Sequence, residues 1–251
     1  MLLQFLVNIS KPFRVLFLGL IRPFFKFRYI NSLPVTDETV LLVCNGPSLN
    51  LVDLNKFIGI QSYGLNKINL IYSKTDWRPL GIFIINGLVL RQMKDFINKN
   101  RDIPFYCDEK AIFLGVKATK YLRFGGISLG QHKSLFKSAY VTVAALQILV
   151  RSKPKRIIIV GLDHSFVVKN RLKKNEIEKF KGDDINHFSK NYFKNQFWGA
   201  PDLEMERYQL SKLKTLAEDL NVQILDATIN GKLDVFEKIS IDLAYSLASE
   251  K

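Results

Sequence analysis

The feature that most constrains this chain is a short apolar run that ends abruptly in a polar loop, within Thr39-Val-Leu-Leu-Val-Cys-Asn-Gly-Pro-Ser-Leu49. An uninterrupted apolar run of this kind is typical of a strand buried on both faces of a parallel sheet. The break at Asn45-Gly46-Pro47-Ser48 predicts a tight loop at the carboxyl end of that strand. In open α/β sheets ligands bind at this end, and the loop offers backbone N–H groups, an amide and a hydroxyl that suit phosphate and nucleotide.

Similar apolar runs alternate with segments of helical period along the rest of the chain. The expected strands are 61–65, 80–85, 103–107, 111–114, 156–161 and 222–226, and the expected helices are 49–57, 88–98, 139–150, 202–220 and 241–249. This alternation predicts an α/β fold, a Rossmann-like parallel sheet with helices on both faces. Residues 116–137 are polar and contain several glycines, which predicts a loop or lid.

The length of 251 residues, 47% of them hydrophobic, suits one globular domain, assigned to 35–251, with an appendage. Two cysteines are too few for a disulfide framework, so we expect reduced thiols in a cytoplasmic protein. Residues 167–200 are charged, aromatic and poor in aliphatic side chains, which predicts a mobile, lid-like excursion from the domain.

The appendage is residues 1–34, which combine basic, aromatic and aliphatic side chains and contain no acid, in a chain of net charge +14. Basic residues and prolines interrupt the apolar runs, which argues against a transmembrane span, and the features of a secretory signal are missing. The composition predicts an amphipathic helical arm on an anionic membrane surface. The alternative is a helix packed on its own domain or in a homo-oligomer. No recognisable nucleic-acid module is present, so we expect no nucleic-acid partner.

Polar residues follow four of the predicted strands, namely Asn45, Asn66, Asn86 and Asp163. Because the carboxyl ends of parallel strands meet at one edge of a sheet, we expect these side chains to lie close together. Asparagine donates and accepts hydrogen bonds without carrying charge, so it can contact ribose hydroxyls, a base edge or phosphate oxygens. A single asparagine of this kind is usually a turn former, but three at strand ends favour a shared nucleotide site.

Several common sites are excluded by their missing motifs. The chain has neither G-x-x-x-x-G-K-[ST] nor G-x-G-x-x-G, and no His, Cys and Asp set has zinc spacing, so we expect no metal site. Of the histidines, His187 lies close to Asp183 and Asp184, and such a histidine can accept a proton near neutral pH. A surface-loop histidine is the alternative for His187, and His164 either faces the site or makes a structural hydrogen bond.

Four segments carry a family resemblance: Asn45-Gly-Pro-Ser-Leu49, Val160-Gly-Leu-Asp-His-Ser165, Asn186-His-Phe188 and Ala200-Pro-Asp-Leu-Glu204. Together they resemble the 6-hydroxymethylpterin diphosphokinase MptE-like domain, which occurs in bacterial surface-polysaccharide loci and flagellin glycosyltransferases. That domain is similar to the bacterial sialyltransferases that use CMP-sialic acid. The resemblance implies a glycosyltransferase of surface-glycan synthesis with a CMP-activated acidic sugar as donor, inverting transfer, and no metal or other cofactor. It also implies a glycan or lipid-linked acceptor at the inner face of the bacterial inner membrane.

The same resemblance assigns roles to individual residues. It implies a nucleotide site made of Asn45, Gly46, Pro47, Ser48, Asn66, Asn86 and Ser138, to which the strand-end position adds Asp163. The sialyltransferases have their base histidine in a region where this chain has Phe197-Trp198-Gly199, so His187 is the nearest substitute for the catalytic base. The sialyltransferases have a tyrosine near the leaving phosphate, whereas this chain has Phe166, so that role is vacant or falls to Arg171, with His164 as a further weak candidate. Two alternatives stay open: an ATP-dependent pyrophosphokinase of the pterin type, which needs Mg²⁺ and clustered carboxylates, and a non-catalytic membrane-associated scaffold with a degenerate nucleotide site.

Overall fold

The structure is a computed structural model that describes residues 29–122, 124, 135, 138–167 and 176–250. The predicted arm lies outside the described residues as far as residue 28, and so does Arg171. Within the described ranges a nine-stranded sheet forms the centre of the molecule, and all of its neighbouring strands are parallel. Its strands are β1 (Tyr29–Ile30), β2 (Thr39–Val43), β3 (Ser62–Leu65), β4 (Gly81–Ile84), β5 (Phe105–Asp108), β6 (Lys120–Leu122), β7 (Arg156–Val160), β10 (Gln223–Asp226) and β11 (Glu237–Lys238), and the intervening β8 (Ile177–Lys179) and β9 (Phe197–Gly199) form a separate antiparallel ribbon.

Helices cover both faces of this sheet. They are α1 (Gly87–Lys99), α2 (Lys110–Phe113), α3 (Val141–Ser152), α4 (Leu203–Asp219) and α5 (Ile241–Ser249), with short 3-10 helices at Pro47–Leu51, Leu54–Phe57 and Ile68–Ile71. The buried sides of α1, α2 and α5 join one hydrophobic core, and those of α3 and α4 join a second core on the opposite face. The predicted α/β class, with a Rossmann-like parallel sheet between two helical layers, is confirmed.

The middle of the sheet is completely buried, which explains its uniformly apolar sequence. Every residue of β2 and of β7 is buried, and α3 is buried over nine consecutive residues beginning at Thr142. A strand covered on both faces has no solvent side, so it loses the alternation of apolar and polar residues. The continuous apolar runs in the sequence therefore mark the centre of the fold.

The strand order creates a crevice between β2 and β7. The order is β1-β6-β5-β4-β3-β2-β7-β10-β11, so the chain moves from β2 to one side through β3, β4 and β5. It then returns through α3 and enters β7 on the other side of β2. Connections on opposite sides of two adjacent strands leave an opening above their carboxyl ends, which is where open α/β sheets bind ligands.

The structure differs from the sequence-based expectations at several peripheral elements. Residues 111–114 lie in α2 and its end, not in a strand, because a short apolar run of this length fits either state. Residues 49–57 form two 3-10 helices separated by a break, and the predicted loop at 116–137 contains β6. The sheet also begins inside the segment assigned to the arm, since β1 pairs with β6 and Leu33 is buried. No helix in the described ranges is long and apolar enough to cross a membrane.

Candidate functional site

A cleft of about 540 Å³ opens at the carboxyl edge of the sheet. The four predicted strand-end residues Asn45, Asn66, Asn86 and Asp163 all line it, and so do His164 and His187. The first turns of α1 and α3 form part of the wall, and residues of the 186–201 segment close the opposite side. The structure therefore brings most of the sequence-predicted site residues into one cavity at the topological switch point.

The loop after β2 is locked to the loop after β7. The Gly46 N–H donates to the Gly161 carbonyl at 2.8 Å, and the Ser48 N–H and hydroxyl donate to the two Asp163 carboxylate oxygens at 3.0 and 2.7 Å. A Cβ on Gly46 would lie 1.8 Å from Asp163 Oδ2, so this approach requires glycine. Burial raises the pKa of Asp163, and the Ser48 hydrogen bonds oppose that rise. Neither Pro47 nor Ser48 lines the cleft, and Ser48 instead holds the cleft-lining Asp163 in place.

Asn45 and Asn66 each present an unpartnered amide oxygen. Asn45 is 9% exposed, and its Nδ2 donates to the Leu65 carbonyl at 3.0 Å, while its Oδ1 is buried without a hydrogen-bond partner. The Asn66 side-chain amide donates a hydrogen bond to the Tyr192 hydroxyl. The Asn66 Oδ1 is likewise buried and has no hydrogen-bond partner. A buried acceptor without a donor is unfavourable, so both oxygens can accept hydrogen bonds from a ligand's hydroxyl or amino groups.

The N-termini of two helices point into the same cavity. Asn86 caps α1, because its side chain accepts a 2.8 Å hydrogen bond from the Leu88 N–H. In contrast, Tyr140 at the start of α3 makes no side-chain cap, and the first turn of α3 has no acidic residue. An uncapped helix start with its N–H groups and positive dipole end is suited to an anion. The first turn of α3 is therefore the strongest candidate for a phosphate site.

Ser138, which the family resemblance assigns to the nucleotide, makes structural contacts instead of lining the cleft. Its hydroxyl donates to Gln209 Oε1 at 2.7 Å and accepts from the Tyr140 N–H at 3.0 Å. The cleft wall in this region is formed by Ala139 and the residues that follow it, including the buried Thr142. Ser138 thus supports the start of α3 from outside the cavity.

His187 is oriented by a buried carboxylate. Its Nδ1 lies 2.9 Å from Asp184 Oδ2, and the side chains of His187 and Asp184 are 12% and 1% exposed. The imidazole stacks on Tyr192 with ring centroids 3.9 Å apart and an angle of 3° between the planes. Because a carboxylate only accepts, we assign the Nδ1 proton to this contact, which leaves Nε2 as the basic nitrogen of the neutral ring. This is the arrangement that a general base needs.

Lys67, which the sequence analysis did not select, anchors the segment that carries His187. Its Nζ donates to the Tyr192 carbonyl at 2.7 Å and also to Gln196 Oε1. The ammonium lies 4.6 Å from the centroid of the Phe193 ring. Burial lowers the pKa of Lys67 to about 8, partly offset by the charge of Asp184. The only signal in the sequence was its position directly after Asn66.

Two further titratable groups face the cleft. His164 adopts a left-handed backbone with φ of 51°, and its Nε2 is buried without a partner. Burial lowers the pKa of His164, which favours the neutral ring. Glu206 is 8% exposed, and burial raises its pKa to about 7 in spite of a hydrogen bond from the Thr142 side chain. Glu206 was missed, although an acid at a buried-stripe position of an amphipathic helix was a usable signal.

The described part of the lid-like excursion packs against the domain through aromatic side chains. Phe180, Phe188, Tyr192 and Trp198 are buried, and the Phe188 N–H donates to the Asn45 carbonyl at 3.0 Å. Ile177 and Phe197 are exposed on the β8–β9 ribbon, and Ile177 also lines the cleft, as does the buried Trp198. This part of the excursion thus supplies an apolar wall for the cleft and leaves Phe197 exposed.

The adjacent carboxylates Asp183 and Asp184 point to different partners. Asp183 pairs with Lys194 at 2.9 Å on the surface, whereas Asp184 turns inward to His187. Among the described residues, no group of three or more His, Cys, Asp or Glu side chains is arranged to hold a metal ion.

Two solved structures have a similar fold. One is the Maf glycosyltransferase from Magnetospirillum magneticum AMB-1, with a TM-score of 0.53 and 13% identity over 89% of this chain and 39% of that one. The other is the monofunctional alpha-2,3-sialyltransferase Cst-I from Campylobacter jejuni, with a TM-score of 0.51 and 18% identity over 85% and 86% of the two chains. This chain thus spans well under half of the Maf chain, and at these identities the likeness shows the fold alone. No protein-family model and no curated protein sequence matches the chain.

Proposed function

We propose that this chain is a glycosyltransferase that binds a nucleotide-activated sugar in the cleft, with a CMP-activated acidic sugar as donor. The observation that carries the proposal is the meeting of Asn45, Asn66 and Asn86 with the uncapped start of α3 at the switch point between β2 and β7. An uncharged amide row beside a helix N-terminus is suited to a ligand with hydroxyl groups and one phosphate.

In this proposal, each part of the cleft wall contacts the part of the nucleotide that its chemistry suits. The phosphate lies at the first turn of α3, where N–H groups and the helix dipole stabilise negative charge. The unpartnered oxygens of Asn45 and Asn66 accept hydrogen bonds from ribose hydroxyls or a base amino group. Asp163 does not bind the phosphate in this proposal, because its carboxylate already holds Ser48 and would repel an anion.

His187 acts as the general base of a direct displacement. Its Nε2 takes the proton of an acceptor hydroxyl as that oxygen bonds to the anomeric carbon. The bond from this carbon to the phosphate oxygen breaks with inversion, and its electron pair stays on the leaving nucleotide. Asp184 holds the ring by its Nδ1 and stabilises the imidazolium that forms.

The similar solved structures support this class of reaction, since one is described as a glycosyltransferase and the other as a sialyltransferase. The family resemblance of the sequence extends the proposal to bacterial surface-polysaccharide or glycoconjugate synthesis. The acceptor is then a glycan or a lipid-linked glycan, and residues 1–34 hold the chain at an anionic membrane surface. Removal of residues 1–28, which spares β1, should release the protein from anionic vesicles, and unchanged vesicle binding would contradict this membrane role.

Thermal unfolding with a panel of nucleotides tests the nucleotide site. A ligand present at about 100 times its Kd stabilises the folded state by about 2.7 kcal/mol, so binding raises the Tm measurably. We expect CMP to raise the Tm more than CDP or UDP, without added metal. Stabilisation only by ATP with Mg²⁺ would favour a pyrophosphokinase, and no stabilisation by any nucleotide would favour a non-catalytic scaffold.

A further inference from the structure

Glu206 is a carboxyl group that the proposed reaction leaves without a role. It lies in the first turn of α4, where its N–H donates to the Asp202 carbonyl at 3.0 Å, and its side chain lines the cleft. Thr142, the second residue of α3, lines the same cleft, and its side chain opposes the rise in the pKa of Glu206 that burial causes. The carboxyl group therefore lies beside the uncapped helix start at which the proposed function seats a phosphate.

We propose that Glu206 makes nucleotide binding proton-coupled: as a neutral carboxylic acid, it donates a hydrogen bond to the phosphate seated at the start of α3. This inference rests on the proposed function and adds to it a residue that contacts the leaving group. A protonated carboxyl group supplies an O–H donor to the phosphate from α4.

The surroundings of Glu206 favour the protonated, neutral form of its carboxyl group. Asp163 lines the same cleft as Glu206, and the buried Asp226 lies outside it. Asp226 is paired with Lys238 at 2.6 Å, and the neighbouring Arg207 is directed to Asp234 on the surface. On the cleft side, His164 has its pKa lowered by burial. Two cationic side chains also line the cleft, Arg91 on α1 and Lys110, and Lys110 pairs with Asp108 at 3.5 Å.

Nucleotide binding must then increase the proton affinity of Glu206. Burial, opposed by the Thr142 side chain, raises its pKa to about 7, so the free protein at pH 8 carries mostly the carboxylate. A phosphate at the start of α3 is a like charge, which disfavours that carboxylate further. The complex therefore takes up a proton from solvent, and the O–H group bonds to a phosphate oxygen. When the sugar leaves, the phosphate gains charge and the same hydrogen bond becomes stronger.

Isothermal titration of the full chain with CMP at pH 8 tests this inference. Paired titrations in Tris and in HEPES, which differ in ionisation enthalpy, give the number of protons taken up. We expect uptake approaching about one proton per CMP in the wild type and nearly none in Glu206→Gln. The CMP affinity of the wild type should also fall as the pH rises from 7 to 9, while that of Glu206→Gln stays flat. Glu204→Gln is the matched control, because it makes the same change at an exposed acid in the same first turn of α4 and should keep the uptake.

The outcomes separate this inference from the proposed function. CMP binding without proton uptake by the wild type, or equal uptake by the wild type and Glu206→Gln, overturns the role of Glu206 and leaves the nucleotide site intact. Absence of CMP binding to the wild type overturns the proposed function itself. If Glu206→Gln does not fold, absence of proton uptake by the wild type still overturns the role of Glu206, and Glu206→Asp, which keeps a carboxyl group in a shorter side chain, replaces it in the comparison.

Discussion

The hydroxyl of Ser48 donates a 2.7 Å hydrogen bond to Asp163 Oδ2, and the Ser48 N–H donates to the other oxygen of the same carboxylate. This pair joins the loop after β2 to the loop after β7 across the topological switch point. The contact fixes the separation of two strand ends that the chain reaches more than a hundred residues apart. The geometry of the cleft therefore depends on a hydrogen bond between Asp163, which lines the cleft, and Ser48, which lies outside its lining.

Gly46→Ala should destabilise the protein by about 1–3 kcal/mol, because the added methyl group would overlap the Asp163 carboxylate that lies 1.8 Å from the Cβ position. Gly87→Ala is the matched control, since a Cβ there meets no atom within 4 Å. Alanine at this helical position should leave stability unchanged or raise it by up to about 1 kcal/mol. Urea denaturation measures both variants, and equal stability of the two would contradict the close approach at Gly46.

Asp184→Asn should reduce sugar transfer by about 10²–10⁴-fold while CMP affinity changes less than about twofold. The asparagine amide can donate to His187 Nδ1, which moves the ring proton to Nε2 and removes the basic nitrogen. Steady-state kinetics with a CMP-activated sugar and isothermal titration with CMP give the two quantities.

His187→Gln is the companion variant for this experiment, and it should lose transfer to a similar extent. A fully active His187→Gln would eliminate His187 as the base. A variant at Asp184 that loses CMP binding together with transfer would instead point to a structural role for the pair.

Asn86→Ser separates the two roles of this residue. Serine caps helices about as well as asparagine, so stability should stay within about 0.5 kcal/mol of the wild type. The side-chain amide is lost, and the Kd for CMP should rise about 5–10-fold if it contacts the nucleotide. Asn86→Ala, which lacks both functions, should lose affinity and also about 1 kcal/mol of stability. Unchanged CMP affinity in Asn86→Ser would confine Asn86 to capping α1.

Glu206 should make the stability of the unliganded protein decrease with rising pH. Its pKa is raised from 4.5 to about 7 in the folded state, so the folded protein binds more protons between these values than the unfolded chain does. The contribution of Glu206 to the free energy of unfolding is present in full below pH 4.5 and is lost as the pH rises through 7. The loss amounts to about 3 kcal/mol in total. Glu206→Gln removes this contribution.

Denaturation of both proteins between pH 5 and pH 8 provides the measurement. The wild type should lose stability relative to Glu206→Gln across this range, while pH effects from other groups cancel in the difference. If the difference in stability between the two proteins does not change with pH, the pKa of Glu206 is the same in the folded and unfolded states.

The central strands of the sheet could be predicted because strands buried on both faces consist of continuous apolar runs. The runs that became β2 and β7 are apolar throughout, and the polar residues Asn45 and Asp163 mark where they leave the core. Edge elements carry no such pattern. The exposed strand β11 consists of Glu237 and Lys238, two charged residues without the apolar pattern that predicts a strand, although it pairs with β10.

The candidate site was predictable only where it coincides with strand ends. Glu206 lies on a helix and Lys67 anchors a distant loop, so both owe their environment to contacts that form across the sheet. The contacts of Ser138 have the same origin, because its partner Gln209 comes from α4. Spacing along the chain indicates which residues can meet at an edge, but the direction of each side chain depends on tertiary packing.

The burial of both cysteines has a practical consequence. Cys44 and Cys107 are 3% and 0% exposed, and burial raises the pKa of both thiols, so neither presents a thiolate to a labelling reagent. A cysteine introduced as Phe197→Cys, at an exposed position of the β8–β9 ribbon, would then react selectively with a maleimide fluorophore in the otherwise native chain. Such a probe would report, in real time and without a cysteine-free background, whether this ribbon moves when a nucleotide is added.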